Sequence, residues 1–71
     1  MFTQRIRELR KQRNLTQRAV AEHLGITEQA YQVYEYEQKN PRLDRLIELA
    51  DFFDVSLDYL VGRTDNPNVY R

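Results

Sequence analysis

Apolar positions recur along this chain at helical spacing, and five segments can be read from them. The clearest run is Leu43, Leu46, Ile47, Ala50 and Phe53, a spacing that predicts an amphipathic helix with its stop near Asp54. Ile6 and Leu9 mark the buried stripe of a first helix, starting after Thr3, reaching about Arg13 and broken by Asn14. Val20 and Leu24 lie one turn apart on a second helix, over about Gln17–Leu24, with Gly25 placed as its left-handed C-terminal residue. A third helix follows Thr27, buries Tyr31 and Tyr34, and ends between Glu35 and Lys39, before the extended backbone that Pro41 imposes on Asn40. After a loop over residues 39–42 comes the helix of the clearest run, then a short fifth that Gly62 closes. The remaining RTDNPNVYR has no periodicity and is expected to be loose. The pattern predicts an all-α chain, with a five-helix domain over residues 1–62 and a short tail over 63–71.

One start signal occurs three times. Leu15, Thr16 and Val20, then Ile26, Thr27 and Tyr31, then Val55, Ser56 and Leu60 each place a hydroxyl N-cap between two apolar residues able to close across it. The first two lie eleven residues apart around Gly25, so helices two and three form a helix-turn-helix candidate.

Composition narrows the class. A chain of 71 residues is one small domain, able to bury only about 60% of its unfolded surface. With 41% hydrophobic and 31% charged residues it is globular in composition. The absence of cysteine excludes disulfides, thiolate metal sites and a cysteine nucleophile. The start, MFTQRIREL, lacks an apolar signal core, and no segment reaches bilayer-spanning length, so the expectation is a soluble, cytoplasmic protein without membrane association. His23 is the lone histidine, an ordinary edge residue or a protonated phosphate contact, and no second ligand accompanies it for a metal. Ser56, the single serine, reads as a cap, and no base constellation supports a nucleophile. Neither an enzyme nor a cofactor is expected.

Charge is neutral overall but uneven. Residues 1–18 carry Arg5, Arg7, Arg10, Lys11, Arg13 and Arg18 against Glu8, whereas residues 19–40 carry Lys39 against Glu22, Glu28, Glu35 and Glu37. Positive potential is concentrated in the first helix and the start of the second. For a nucleic-acid ligand this predicts weak non-specific affinity and a shallow salt dependence.

VAEHLGI, the Tyr34-Glu35 pair, Pro41 and LIELADFFDVSLDYLVG together resemble the phage-repressor-like (Cro/repressor-type) helix-turn-helix transcriptional regulators, over about residues 6–62. The resemblance implies a compact five-helix domain and a homodimer on a palindromic double-stranded DNA operator, with the third helix of each copy in the major groove. Carried over by position, it makes Thr27, Glu28, Gln29, Gln32 and Val33 the candidate base contacts. Gln29 suits a bidentate pair with adenine, Glu28 a cytosine amino group, and Val33 a thymine methyl. The competing reading of these positions is a solvated helix face. The resemblance also makes Arg10, Thr16, Gln17, Lys39 and Arg42 the candidate phosphate contacts, the last two otherwise plain loop charges.

Arg10 flanks the Ile6 and Leu9 stripe and needs a partner for its partly desolvated charge. The resemblance implies that this partner is Glu35, in a structural ion pair joining the first helix to the third, with phosphate binding by Arg10 compatible. The sequence departs from the family pattern in two places: Arg42 stands where a Ser or Thr cap is usual, and Tyr36-Glu37 where Asn-Gly ends the third helix. The third helix then either runs another turn, bringing Tyr36 toward a DNA backbone, or leads into a strained loop; a simply exposed tyrosine is the plainer reading. A dimer surface is expected around Leu57, Val61, Val69 and Tyr70. The alternative function is a protein-interaction module of the same fold, antirepressor-like or antitoxin-like; a third is a domain cut from a longer regulator.

Overall fold

The computed structural model describes residues 2–36 and 41–69. Five helices follow in order: α1 Phe2–Gln12, α2 Gln17–Leu24, α3 Glu28–Tyr36, α4 Leu43–Phe53 and α5 Leu57–Leu60. No strand occurs among the described residues. Helix α1 begins at Phe2, whose buried ring adds a third residue to the Ile6 and Leu9 stripe.

The connections carry more of the folding information than their length suggests. Asn14, Gly25, Asp54 and Gly62 all take positive φ, and each closes the preceding helix by a paired left-handed turn. After α2, Gly25 N–H donates to the Glu22 carbonyl at 3.1 Å and Ile26 N–H to the Ala21 carbonyl at 3.0 Å. The same pairing joins Asn14 to Lys11 and Leu15 to Arg10, and Asp54 to Asp51 and Val55 to Ala50. The next residue is then a hydroxyl cap: the oxygens of Thr16, Thr27 and Ser56 accept from the N–H groups of Ala19, Ala30 and Tyr59 at 3.0, 3.1 and 3.0 Å. Leu15, Ile26 and Val55 therefore complete the stop of one helix and the start of the next, and all three pack on the core.

Helix α4 starts differently. Arg42 occupies its N-cap position without a side-chain bond, and Asp44 in the first turn accepts from the Arg45 N–H at 2.9 Å. The stripe expected on α4 is rotated: Leu49, Ala50 and Phe53 are buried and Leu46 partly so, whereas Leu43 and Ile47 are 62% and 44% exposed. Leu46, Leu49, Ala50 and Phe53 share one face at i, i+3, i+4 and i+7, the face turned to the core, and Leu43 and Ile47 fall beside it.

The core joins Ile6, Leu9, Val20, Leu24, Tyr31, Leu49, Phe53 and Leu60 from all five helices. Packing of α2 on α3 and of α1 on α3 holds the helix-turn-helix pair, while α4 and α5 close the other side. The segment after Gly62, expected to be loose, is hydrogen-bonded to the domain: Arg5 donates to the Tyr59 and Thr64 carbonyls at 2.9 and 3.0 Å and to Asp65 at 2.9 Å, and the Ser56 N–H donates to the Pro67 carbonyl at 3.0 Å.

Candidate nucleic-acid interface

The site is built on one buried ion pair. Arg10 on α1 donates through Nε to Glu35 Oε2 at 2.6 Å and through Nη2 to Oε1 at 3.1 Å, while Nη1 donates to the Leu15 carbonyl at 2.9 Å. The Glu35 side chain is 0% exposed and that of Arg10 is 12% exposed. Burial pushes the Glu35 carboxyl up, but the Arg10 hydrogen bond, the nearby Tyr31 hydroxyl and the Gln17 amide, together with the Arg10 charge, outweigh it and hold it below the usual carboxylate range. The Tyr31 hydroxyl is buried beside this pair without a hydrogen bond of good geometry, and burial first, then the Glu35 carboxylate, raises its pKa.

From Glu35 the network runs outward. Gln17, the first residue of α2, donates from Nε2 to Glu35 Oε1 at 3.1 Å and to the Tyr36 hydroxyl at 2.8 Å, while its Oε1 accepts from Gln32 Nε2 at 3.2 Å. The ion pair thus fixes the side chain at the start of α2, and through it two residues on α3.

Two concavities meet over this network. Arg7, Arg10, Lys11, Thr16, Gln17, Arg18, Glu28 and Tyr36 line a groove of about 510 Å³. Gln29, Gln32, Val33 and Tyr36 line a shallower hollow of about 200 Å³ on α3. Tyr36 belongs to both.

The structure sorts the expected site residues. Gln29, Gln32 and Val33 stand together in the hollow, and Glu28 lies in the groove instead. The Thr27 and Thr16 hydroxyls are committed to capping α3 and α2. Arg42 is exposed at the start of α4, and Lys39 lies outside the described residues. Arg10 is turned inward to Glu35 and Leu15, which makes its structural role dominant.

The basic cluster of residues 1–18 likewise divides. Arg5 stacks 4.0 Å over the Tyr59 ring while binding the C-terminal segment, and Arg13 donates to the Phe53 and Leu9 carbonyls. Arg7, Lys11 and Arg18 are left around the groove, with Arg18 in an exposed pair with Glu22 at 3.1 Å. The sequence places these three in the basic cluster of residues 1–18 without assigning a role to each. Their signal is the positive charge of the first helix and the start of the second, which Arg5 and Arg13 share.

His23 packs on Phe52, ring centroids 4.2 Å apart, an edge contact between α2 and α4. Among the described residues no group of three His, Cys, Asp or Glu is placed to hold a metal, and no helix is long and apolar enough to cross a membrane.

Two capped helices around a left-handed glycine, with α3 exposed beside a cationic groove, define a helix-turn-helix domain. Residues 6–60 match the family model described as Helix-turn-helix, HTH_3. The chain is 48% identical over 68 residues to the uncharacterized HTH-type transcriptional regulator YobD of Bacillus subtilis, covering 96% of this chain and 61% of the relative. It is 41% identical over 71 residues to the regulator YqaE of the same organism, covering 100% and 61%. It is 35% identical over 65 residues to the cryptic phage CTXphi transcriptional repressor RstR of Vibrio cholerae, covering 92% and 59%. The chain spans about three-fifths of the length of these relatives. No solved structure matches. The chain belongs to the HTH_3, or Cro/C1-type, helix-turn-helix family of transcriptional regulators, which is non-enzymatic and includes phage repressors.

Proposed function

We propose that this domain binds double-stranded DNA sequence-selectively as a transcriptional repressor, acting as a homodimer on a palindromic operator in the cytoplasm. The observation that carries this reading is the adjacency of the α3 hollow of Gln29, Gln32 and Val33 to the groove of Arg7, Lys11 and Arg18. An amide-rich, exposed helix face beside a cationic groove suits base edges flanked by phosphates. Gln29 reads an adenine and Val33 a thymine methyl, while Gln32, tied to Gln17, sets the register. Glu28 accepts from a cytosine amino group at the groove side of α3, with Thr27 at the entrance. As the resemblance implies, Lys39 and Arg42 bind backbone phosphates, with Thr16 and Gln17 at the start of α2. Repression is supported by the relative named a repressor.

Selection of bound duplexes from a random pool, repeated across salt concentrations, tests the reading. An enriched sequence with two-fold symmetry is the expected result; absence of binding even at low salt overturns it.

The second reading, a protein-interaction module of the same fold, is favoured by one observation: Leu43 and Ile47 expose an apolar edge on α4. The duplex selection separates the two readings, because an interaction module retains no duplex even at low salt.

A further inference from the structure

Gln17 is the residue that the family resemblance assigns to a phosphate, yet its amide has no donor to spare. One N–H goes to Glu35 Oε1 at 3.1 Å and the other to the Tyr36 hydroxyl at 2.8 Å, and a primary amide has only two. Its oxygen already accepts from Gln32 and in any case repels an anion.

The Tyr36 hydroxyl is in the opposite position. Its oxygen accepts from Gln17, so its own proton remains to be given. Accepting that bond polarises the O–H and strengthens its donation. Tyr36 is 61% exposed and stands where the cationic groove meets the hollow of Gln29, Gln32 and Val33. Among the described residues that line the groove, Arg7, Lys11 and Arg18 outnumber the one carboxylate, Glu28.

We propose that the Tyr36 hydroxyl is a DNA phosphate contact of this domain, with Gln17 behind it as its positioning residue. The inference rests on the DNA-binding reading above and names a contact that reading leaves out. A backbone phosphate between the groove and the hollow accepts the phenolic proton while the nearby cations supply the field. The chain of contacts from phosphate to Tyr36, Gln17 and Gln32 then sets the height of α3 over the base edges. Because Gln17 is itself held by Glu35, the grip is anchored in the Arg10 pair and not in a flexible side chain.

The test compares the wild-type chain with Tyr36→Phe on a selected duplex and a scrambled one of equal composition, over a range of salt. The substitution removes one oxygen from an exposed ring, and unfolding curves establish that both proteins are folded. Expected is about a tenfold loss of affinity for both duplexes, the size of a hydrogen bond to a charged group. The slope of log affinity against log salt stays the same, because no cation is lost. Ethylation of one phosphate, which blocks the wild-type protein, ceases to discriminate against Tyr36→Phe. Equal affinity of the two proteins overturns the contact and leaves the DNA-binding reading standing. A changed base preference at one position overturns it in favour of a base contact. No duplex binding by the wild-type chain overturns the DNA-binding reading and this contact with it.

Discussion

Arg10 and Glu35, 25 residues apart, meet through two hydrogen bonds of 2.6 and 3.1 Å, and no part of the Glu35 side chain reaches solvent. The pair ties α1 to α3 and, through Gln17, to the start of α2. Removing one partner leaves a buried charge uncompensated, so Glu35→Ala is expected to cost about 3–5 kcal/mol. Arg10→Met combined with Glu35→Leu is expected to cost much less than Glu35→Ala alone. Urea unfolding of the variants, read as midpoint shifts at constant slope, checks both; equal losses would place the stabilisation elsewhere.

Acid should loosen this linkage. Glu35 has a folded pKa below its unfolded value, so the unfolded chain takes up its proton first as pH falls. Its stabilisation is complete above the unfolded glutamate value of about 4.3 and is lost as pH falls through the lower folded value. Thermal unfolding followed from neutral pH to about pH 3 should show a drop that Glu35→Gln flattens.

Tyr31 gives the opposite limb. Its folded pKa is raised, so its contribution is intact below the unfolded tyrosine value of about 10 and declines as pH rises beyond it. Tyr31→Phe should abolish that alkaline decline. It should also leave stability at neutral pH nearly unchanged, since the buried hydroxyl it removes lies beside Glu35 without a hydrogen bond of good geometry. A loss of stability at neutral pH would mean that the hydroxyl is bonded after all.

Gly25 isolates the cost of a backbone conformation. It takes φ of 72°, and a Cβ built there meets nothing within 4 Å. Gly25→Ala therefore carries left-handed strain without a clash, about 1–2 kcal/mol. A larger loss in a denaturation curve would reveal a steric role for this turn.

The two parts of the interface should separate in binding experiments. Gln29→Ala is expected to relax discrimination at one base position by about 1–3 kcal/mol. Lys11→Ala should weaken all duplexes alike and lower the salt slope by about 0.9. Arg42→Ala should follow Lys11→Ala in weakening all sequences. Competition with single-base variants distinguishes these behaviours, and identical profiles for Gln29→Ala and Lys11→Ala would dissolve the division.

What the sequence by itself determined were the places where helices stop and start. Thr16, Thr27 and Ser56 with their apolar neighbours act within about four residues, so cap and staple are legible in the chain. Gly25 was likewise readable as a left-handed stop, and the Leu46, Ala50 and Phe53 part of α4 as core. The partnership of Arg10 with Glu35 was reached through resemblance, because periodicity could show only that Arg10 needed a partner.

Only the tertiary structure decided which face of α4 is covered and where the long polar side chains go. Leu49 is buried and Leu43 exposed because α4 meets the core along one line, and its helical period admits both choices. Arg5, Arg10 and Arg13 look alike in sequence, yet each is drawn to a group far along the chain: Asp65, Glu35 and the Phe53 carbonyl. Arg7, Lys11 and Arg18 remain on the groove, and Tyr36 receives the Gln17 amide. The physical reason is reach: a cap is satisfied by its own neighbours, whereas an arginine or glutamine several ångströms long is satisfied by whatever donor or acceptor folding brings beside it.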